Sequence, residues 1–435
     1  MKGETAGEDI PPLLSDRGPM AGLGAENLGS GEEERMLWLT GGQVFDVESG
    51  RFRDASISIE DDRIAAVAAT ARPSSEDKVI DVAGLYLLPG LIDCHVHLVM
   101  PTDEPDPSVV ATWPDALIAI YAAKAAERTL LGGTTTVRDC GGWNYVEMAV
   151  RKAIARGWCI GPRMFLAGRL LSITTGGVQY YPGMYEVANG PDEVRAGARR
   201  QLARGADFIK VMATGAMLSP ENEDARAIQF TLEELKAAVE IARDNFKHTA
   251  AHAHACQGII NAVEAGADSI EHGTFADETA LRLMAERKVT MVPTFCAVTS
   301  MLADPAIGEA MPPHLRRRLI DSRATRQEMV RQAHRLGVPL AMGTDAGTPG
   351  NHHGDNADEC IAMVEESGIR PVDAIRAATI NGARLLRQER NLGSLDAGKF
   401  ADLIATRENP LNDIHALKRL SLVMKGGVMH VNALA

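Results

Sequence analysis

Residues 87–98 read LLPGLIDCHVHL. An apolar run breaks at Pro89-Gly90, resumes at Leu91-Ile92 and ends on His95 and His97. Side chains of an extended strand alternate with period two, so both imidazoles share one face. Two imidazoles on one face suit a divalent metal ion. Taken alone, the pattern is more simply one buried, hydrogen-bonded histidine beside an exposed one. The strands further along decide between the two.

After the HVH strand a helical stretch runs from Asp115 to Leu131, stops at Gly132-Gly133, and is followed by the β-branched TTTVRDC. The alternation repeats through RMFLAG (163–168), DFIKVM (207–212), HTAAHAH (248–254), DSIEHG (268–273), VTMVPT (289–294) and PLAMGTD (339–345). Helical sequence lies between most of these segments, including one helix opened by the capping pair Thr231 and Glu234. Helices at 356–366 and 371–387 complete the series. Eight short apolar strands separated by helices predict an α/β fold, a (β/α)8 TIM barrel over residues 89–390. Short alternating segments before it (36–88) and after it (391–435) predict a small β-sandwich module built from both chain ends, with the barrel inserted into it. Residues 1–35, Gly- and Pro-rich with the acidic run Glu32-Glu33-Glu34, read as a disordered tail.

Composition narrows the partners. Forty-five Lys and Arg against 58 Asp and Glu give a net charge of −13, which disfavours nucleic acid and anionic membranes. The longest apolar runs are too short for a bilayer and the N-terminus lacks the apolar core of a signal peptide, so a cytoplasmic protein is expected. The six cysteines include no CxxC pair and read as free thiols in a reducing compartment, Cys94 as a core residue.

Barrel enzymes keep their chemistry at the C-terminal ends of the strands. There the sequence places His95 and His97, Lys210, His252 and His254, His272, and Asp345. Histidine and aspartate are ligand types for zinc and similar ions. Lys210 is the odd member. A lysine in an apolar strand ordinarily snorkels to solvent or pairs with a carboxylate, but among candidate ligands a cation would repel a metal. Desolvation favours the neutral amine, which CO2 can convert to an anionic carbamate.

HxH after a first strand, Lys after a fourth, His after a fifth and sixth and Asp after an eighth resemble the amidohydrolase superfamily in its binuclear form, over about residues 36–435. The segments KVMATGAMLSPEN, AAHAHACQGI, DSIEHGTF and MGTDAGTPGNHHGDN resemble its branch of Xaa-Pro and Xaa-Arg dipeptidases and ochratoxin-hydrolysing enzymes, the bacterial ochratoxin A amidohydrolases in particular. The resemblance implies two divalent ions, zinc first among them. His95, His97 and Asp345 would hold one, His252 and His272 the other, and carbamylated Lys210 would bridge them. Family spacing to IEHG makes His252 the ligand and leaves His254 to polarise the substrate carbonyl, while Asp345 takes a proton from water and delivers it to the leaving nitrogen. The substrate so implied is a small molecule or dipeptide, an N-acyl amino acid with a free carboxylate, ochratoxin A included, and relatives are often homo-oligomers.

Loop residues Tyr180, Tyr181, Tyr185 and Arg226 are candidates to meet the substrate carboxylate or ring. Asp139, His352 and His353 are candidates to support the ligands, His353 also to touch substrate. In SITTGGVQYYPGMY the branch has a histidine soon after the glycine pair, whereas Val178 and Gln179 follow here. A Tyr-rich loop without that histidine favours a bulky aromatic leaving residue over a basic one. The rival enzyme is a mononuclear deaminase or a cyclic-imide or imidazolonepropionase-type hydrolase, against which Lys210 argues. The rival of another class is a metal-free scaffold on the same fold, against which the full ligand set argues.

Overall fold

A computed structural model describes residues 36–434; the expected disordered tail lies outside the described residues. The chain begins with strands β1 (Leu37–Asp46), β2 (Arg51–Glu60), β3 (Arg63–Ala68), β4 (Lys78–Asp81) and β5 (Tyr86–Pro89). Nine further strands carry the middle of the chain: β6 (Leu91–Val96), β7 (Thr134–Asp139), β8 (Arg163–Leu166), β9 (Leu170–Ser172), β10 (Tyr185–Val187), β11 (Phe208–Met212), β12 (His248–Ala255), β13 (Ser269–Phe275) and β14 (Thr290–Val292). The last three are β15 (Leu403–Thr406), β16 (Leu420–Lys425) and β17 (Val428–Asn432).

The first five and last three strands form one eight-stranded sheet in the order β17-β16-β15-β5-β1-β2-β3, with β4 also paired to β1. The expected two-sheet sandwich is therefore replaced by a single hydrogen-bonded sheet. The reason is β5, which pairs parallel with β1 (Val44 opposite Leu87) on one edge and antiparallel with β15 (Leu88 opposite Ile404) on the other. A bulge in β1 between Leu39 and Gly42 lets its first half pair with β4 and its second half with β5. Gly42 is required there, since a Cβ would lie 2.4 Å from Leu87. Leu39, Ile57, Ile64, Leu87, Leu403 and Leu422 from both chain ends bury one apolar core. Burying each such side chain is worth about 1.5–3 kcal/mol.

One residue, Gly90, separates β5 from β6. Its amide donates to the Asp402 carbonyl, and a Cβ would strike Thr135 Oγ1 at 2.2 Å. The middle strands are parallel and fall into a three-stranded sheet, β6-β7-β8, and a six-stranded sheet, β10-β9-β11-β12-β13-β14. Helices Asp115–Leu131, Pro191–Ala203, Leu232–Asp244 with its capping box, Glu278–Arg287 and Pro313–Arg335 lie between strands much as the apolar periodicity predicts.

Backbone hydrogen bonds join the two sheets at the seams, Asp207 N to Leu166 O at 2.8 Å, Cys94 N to Met342 O at 2.8 Å and Asp345 N to His95 O at 2.7 Å. Two expectations are corrected. The eighth segment, 339–345, is not a regular strand but is held by single bridges, Leu340 to Met291 and Ala346 to Val96. It packs too tightly for regular pairing: a Cβ on Gly343 would lie 3.0 Å from the His95 amide, and Asp345 takes φ +60°. The helix expected over 371–387 is broken into Pro371–Arg376, a π turn at Ala377–Asn381 and Gly382–Leu385. There the Ala377 carbonyl accepts Met342 N at 3.0 Å, which draws it from the helical ladder.

Candidate metal centre

β6, β11, β12, β13 and the segment after Leu340 bring their C-terminal ends to one pocket, lined by His95, His97, Lys210, His252, His254, His272 and Asp345. Every one of these side chains is buried. Asp345 Oδ1 lies 3.5 Å from His95 Nε2 and 3.3 Å from His97 Nε2. Ligand atoms of His95, His272 and Asp345 lie within 4.8 Å of one another, as do those of His252, His254 and His272.

Hydrogen bonds decide which nitrogen each ring presents. His95 Nδ1 meets Glu271 Oε2 at 2.8 Å, His97 Nδ1 meets the Gly141 carbonyl at 3.0 Å, and His252 Nε2 meets the Gly215 carbonyl at 3.0 Å. Carbonyls and ionised carboxylates only accept, so the nitrogen facing them carries the proton and the other keeps a lone pair. His95 and His97 thus offer Nε2, and His252 offers Nδ1. His254 Nδ1 and His272 Nδ1 meet the hydroxyls of Thr274 (2.9 Å) and Thr294 (2.7 Å), leaving Nε2 toward the pocket.

Burial first, and Lys210 second, lowers His95 to a pKa of about 4 and His252 to about 3, so both are neutral imidazoles. Burial likewise holds His254 and His272 well below the usual histidine range. His97 moves the other way, because the Asp345 carboxylate outweighs burial, and burial fails to keep Asp345 from a lowered pKa beside His95 and His97. Lys210 is 1% exposed and its amine makes no hydrogen bond or ion pair among the described residues. Four neutral imidazoles, His97 beside the Asp345 carboxylate and an unpartnered buried amine fit a pair of divalent ions.

His272 and Asp345 have φ of +71° and +60°, strained values for residues other than glycine and of the kind that gather at functional sites. At His272 the left-handed backbone interrupts strand alternation, so that consecutive residues both serve the centre. Glu271 orients His95, and Arg138 donates to Glu271 at 2.7 Å and to the Cys94 carbonyl at 2.6 Å. Burial opposes ionisation of Glu271, but Arg138 and His95 outweigh it. Sequence reasoning missed Glu271, Arg138, Thr274 and Thr294; an acid and a hydroxyl on either side of His272 in IEHGT were the available signal.

The remaining candidates divide. Tyr181 and Tyr185 line the pocket with Leu170, Met184, Met217 and Met301. Tyr180 is partly exposed and is not brought to it. Arg226 pairs with Asp224 and borders a neighbouring cavity instead. His353 meets the His97 carbonyl at 3.3 Å and Thr129, while His352 meets Thr102 at 2.9 Å; both stand behind the site rather than in it. Asp139 accepts the amides of Leu98 and Gly141, and so braces the segments that follow both β6 and β7.

Histidines, an aspartate and a buried lysine at the ends of parallel strands form a candidate metal centre on an α/β scaffold. The chain belongs to the amidohydrolase family, whose sequence profile matches residues 86–429. It is 32% identical to the ochratoxinase of Aspergillus niger, over 92% of this chain and 88% of that protein. Among solved structures, a Xaa-Pro dipeptidase with methionine bound in its active site superposes with a TM-score of 0.83 at 35% identity, covering 91% of this chain and 100% of that one. The A. niger ochratoxinase structure gives 0.82 at 31% identity, over 92% and 97%. No helix among the described residues is long and apolar enough to cross a membrane.

Proposed function

We propose that this protein is a metal-dependent amidohydrolase that cleaves the amide of N-acyl amino acids or dipeptides bearing a free C-terminal carboxylate, including ochratoxin A to ochratoxin alpha and phenylalanine. The observation that carries the proposal is the convergence of six ligand-type residues on one pocket whose remaining lining is largely apolar and aromatic. His95, His97 and Asp345 would hold one ion and His252 and His272 the other, with carbamylated Lys210 between them. The ions, zinc first among them, supply Lewis acidity for attack of water on the carbonyl. Asp345 takes the water proton and returns it to the leaving nitrogen, His254 donates to the carbonyl oxygen, and the Tyr181 and Tyr185 wall orients a flat leaving residue and excludes solvent. An unpartnered Lys210 favours this reading over a mononuclear deaminase or imidazolonepropionase-type hydrolase.

The same reading includes closure of the two parallel sheets into an eight-stranded barrel, a cytoplasmic location and assembly as a homo-oligomer. The test is hydrolysis by the zinc-loaded protein of N-acyl-phenylalanine, dipeptides and ochratoxin A, with purines and cyclic imides alongside. Release of the C-terminal amino acid is expected; deamination or ring opening with the amides left intact would overturn the proposal.

A further inference from the structure

We infer that Arg326, which lies outside the candidate ligand set, is a positioning residue that aims His254 and His272 through one threonine each. The inference rests on the metal-dependent reading of the pocket. Arg326 lies in the helix Pro313–Arg335, is 2% exposed, and has no carboxylate within ion-pair distance among the described residues. Burial lowers its pKa to about 10, so it remains a cation at neutral pH. A buried charge without a counter-ion is costly, and a leucine would fill that space at less expense. Its donors show what it does instead.

One terminal nitrogen donates to Thr274 Oγ1 at 3.2 Å; the other donates to Thr294 Oγ1 at 3.2 Å, Thr294 O at 2.5 Å and Pro293 O at 3.3 Å. These are the two hydroxyls that meet His254 Nδ1 and His272 Nδ1. The two rings stack, with centroids 4.8 Å apart and planes 19° apart. Thr294 has φ +53°, a costly conformation for a β-branched residue, and the contacts from Arg326 to its carbonyl and hydroxyl hold it there. One guanidinium therefore ties the ends of β13 and β14 together and fixes both rings with Nε2 toward the pocket.

Partners behind a metal-binding histidine are commonly worth 10–100-fold in metal affinity or activity. The test compares the wild type with Arg326→Gln, Thr274→Val, Thr294→Val, the double threonine variant and the triple variant. The readouts are Co(II) affinity and absorption spectrum, melting temperature, and kcat and KM on an N-acyl amino acid. Thr294→Val should weaken binding of one Co(II) by about 10–100-fold and shift its spectrum, with recovery in Thr294→Ser. Thr274→Val should lower kcat with KM and metal content kept. Arg326→Gln should do both, and in the double threonine background should add far less than it costs alone, since only its contacts to the Pro293 and Thr294 carbonyls remain to be lost. Wild-type spectrum and kcat in Arg326→Gln, or effects that add in full to those of the double variant, would overturn the inference. If Arg326→Gln does not fold, the threonine variants decide: wild-type spectra and kcat in both would overturn it. Failure of the wild type to bind Co(II) or to hydrolyse any amide would sink the function proposed above and this inference with it, whereas unchanged variants of an active wild type sink the inference alone.

Discussion

Asp345 faces two imidazoles at once, and its carboxylate is asked both to hold an ion and to move a proton. Asp345→Asn keeps the volume and loses the base, so kcat should fall by about two to four decades while the melting temperature stays near that of the wild type. Lys210→Ala should leave a folded chain with less than its full metal complement, read by elemental analysis, because the other candidate ligands stay while the proposed shared anion goes. Glu147 makes a different prediction. Its Oε1 has no partner, and burial with Asp139 nearby pushes its pKa up to about 8. Between pH 4.5, the usual glutamate value, and 8 the unfolded chain has lost this proton while the folded chain keeps it, so stability falls as pH rises through that window. Glu147→Gln should therefore raise the melting temperature by a few degrees at pH 8–9 and leave it unchanged below about pH 4.5. The candidate ligands were legible because histidine and aspartate at the ends of apolar strands stand out. Their supports were not: Arg326 sits in a helix crowded with Arg316, Arg317, Arg318, Arg323 and Arg331, where one buried guanidinium looks like another solvated charge.

Most of the parallel strands and the longer helices followed from periodicity, since β-branched runs and capping signals are local. What escaped was set by packing. The segment around Gly343 reads as a strand, yet close contact with His95 and the turn at Asp345 reduce it to bridges. The loop after β11 was also opaque, although it covers the pocket through Met217, Leu218 and Ser219. Arg318 donates to the carbonyls of Ser219 (3.0 Å), Pro220 (3.3 Å), Glu221 (3.2 Å) and Glu223 (2.6 Å), and Glu223 in turn accepts Gly177 N at 2.8 Å. Arg318→Ala frees that loop without touching the centre. KM should rise by about tenfold, near 1.4 kcal/mol, with kcat and metal content little changed. A fall in kcat at constant KM would show that the loop does more than hold substrate.

For the whole molecule, the candidate ligands come from five separate segments, and an ion held by His95, His97 and Asp345 with Lys210 would tie β6 of the three-stranded sheet to β11 of the six-stranded one. Chelation should lower the melting temperature by several degrees and abolish hydrolysis, and added zinc should restore both, because an ion that binds only the folded chain stabilises it by mass action. Scanning calorimetry with and without chelator checks this. The division into sheets bears on a second process. β5 feeds directly through Gly90 into the strand carrying His95, and its outer edge is covered only by β15, more than 300 residues later in the chain. On the ribosome, that edge and its Leu87 and Leu88 emerge early and wait for nearly the whole message to be read before their partner appears. Such a nascent chain presents an open apolar strand edge throughout translation, the condition under which chains are captured by chaperones or by one another.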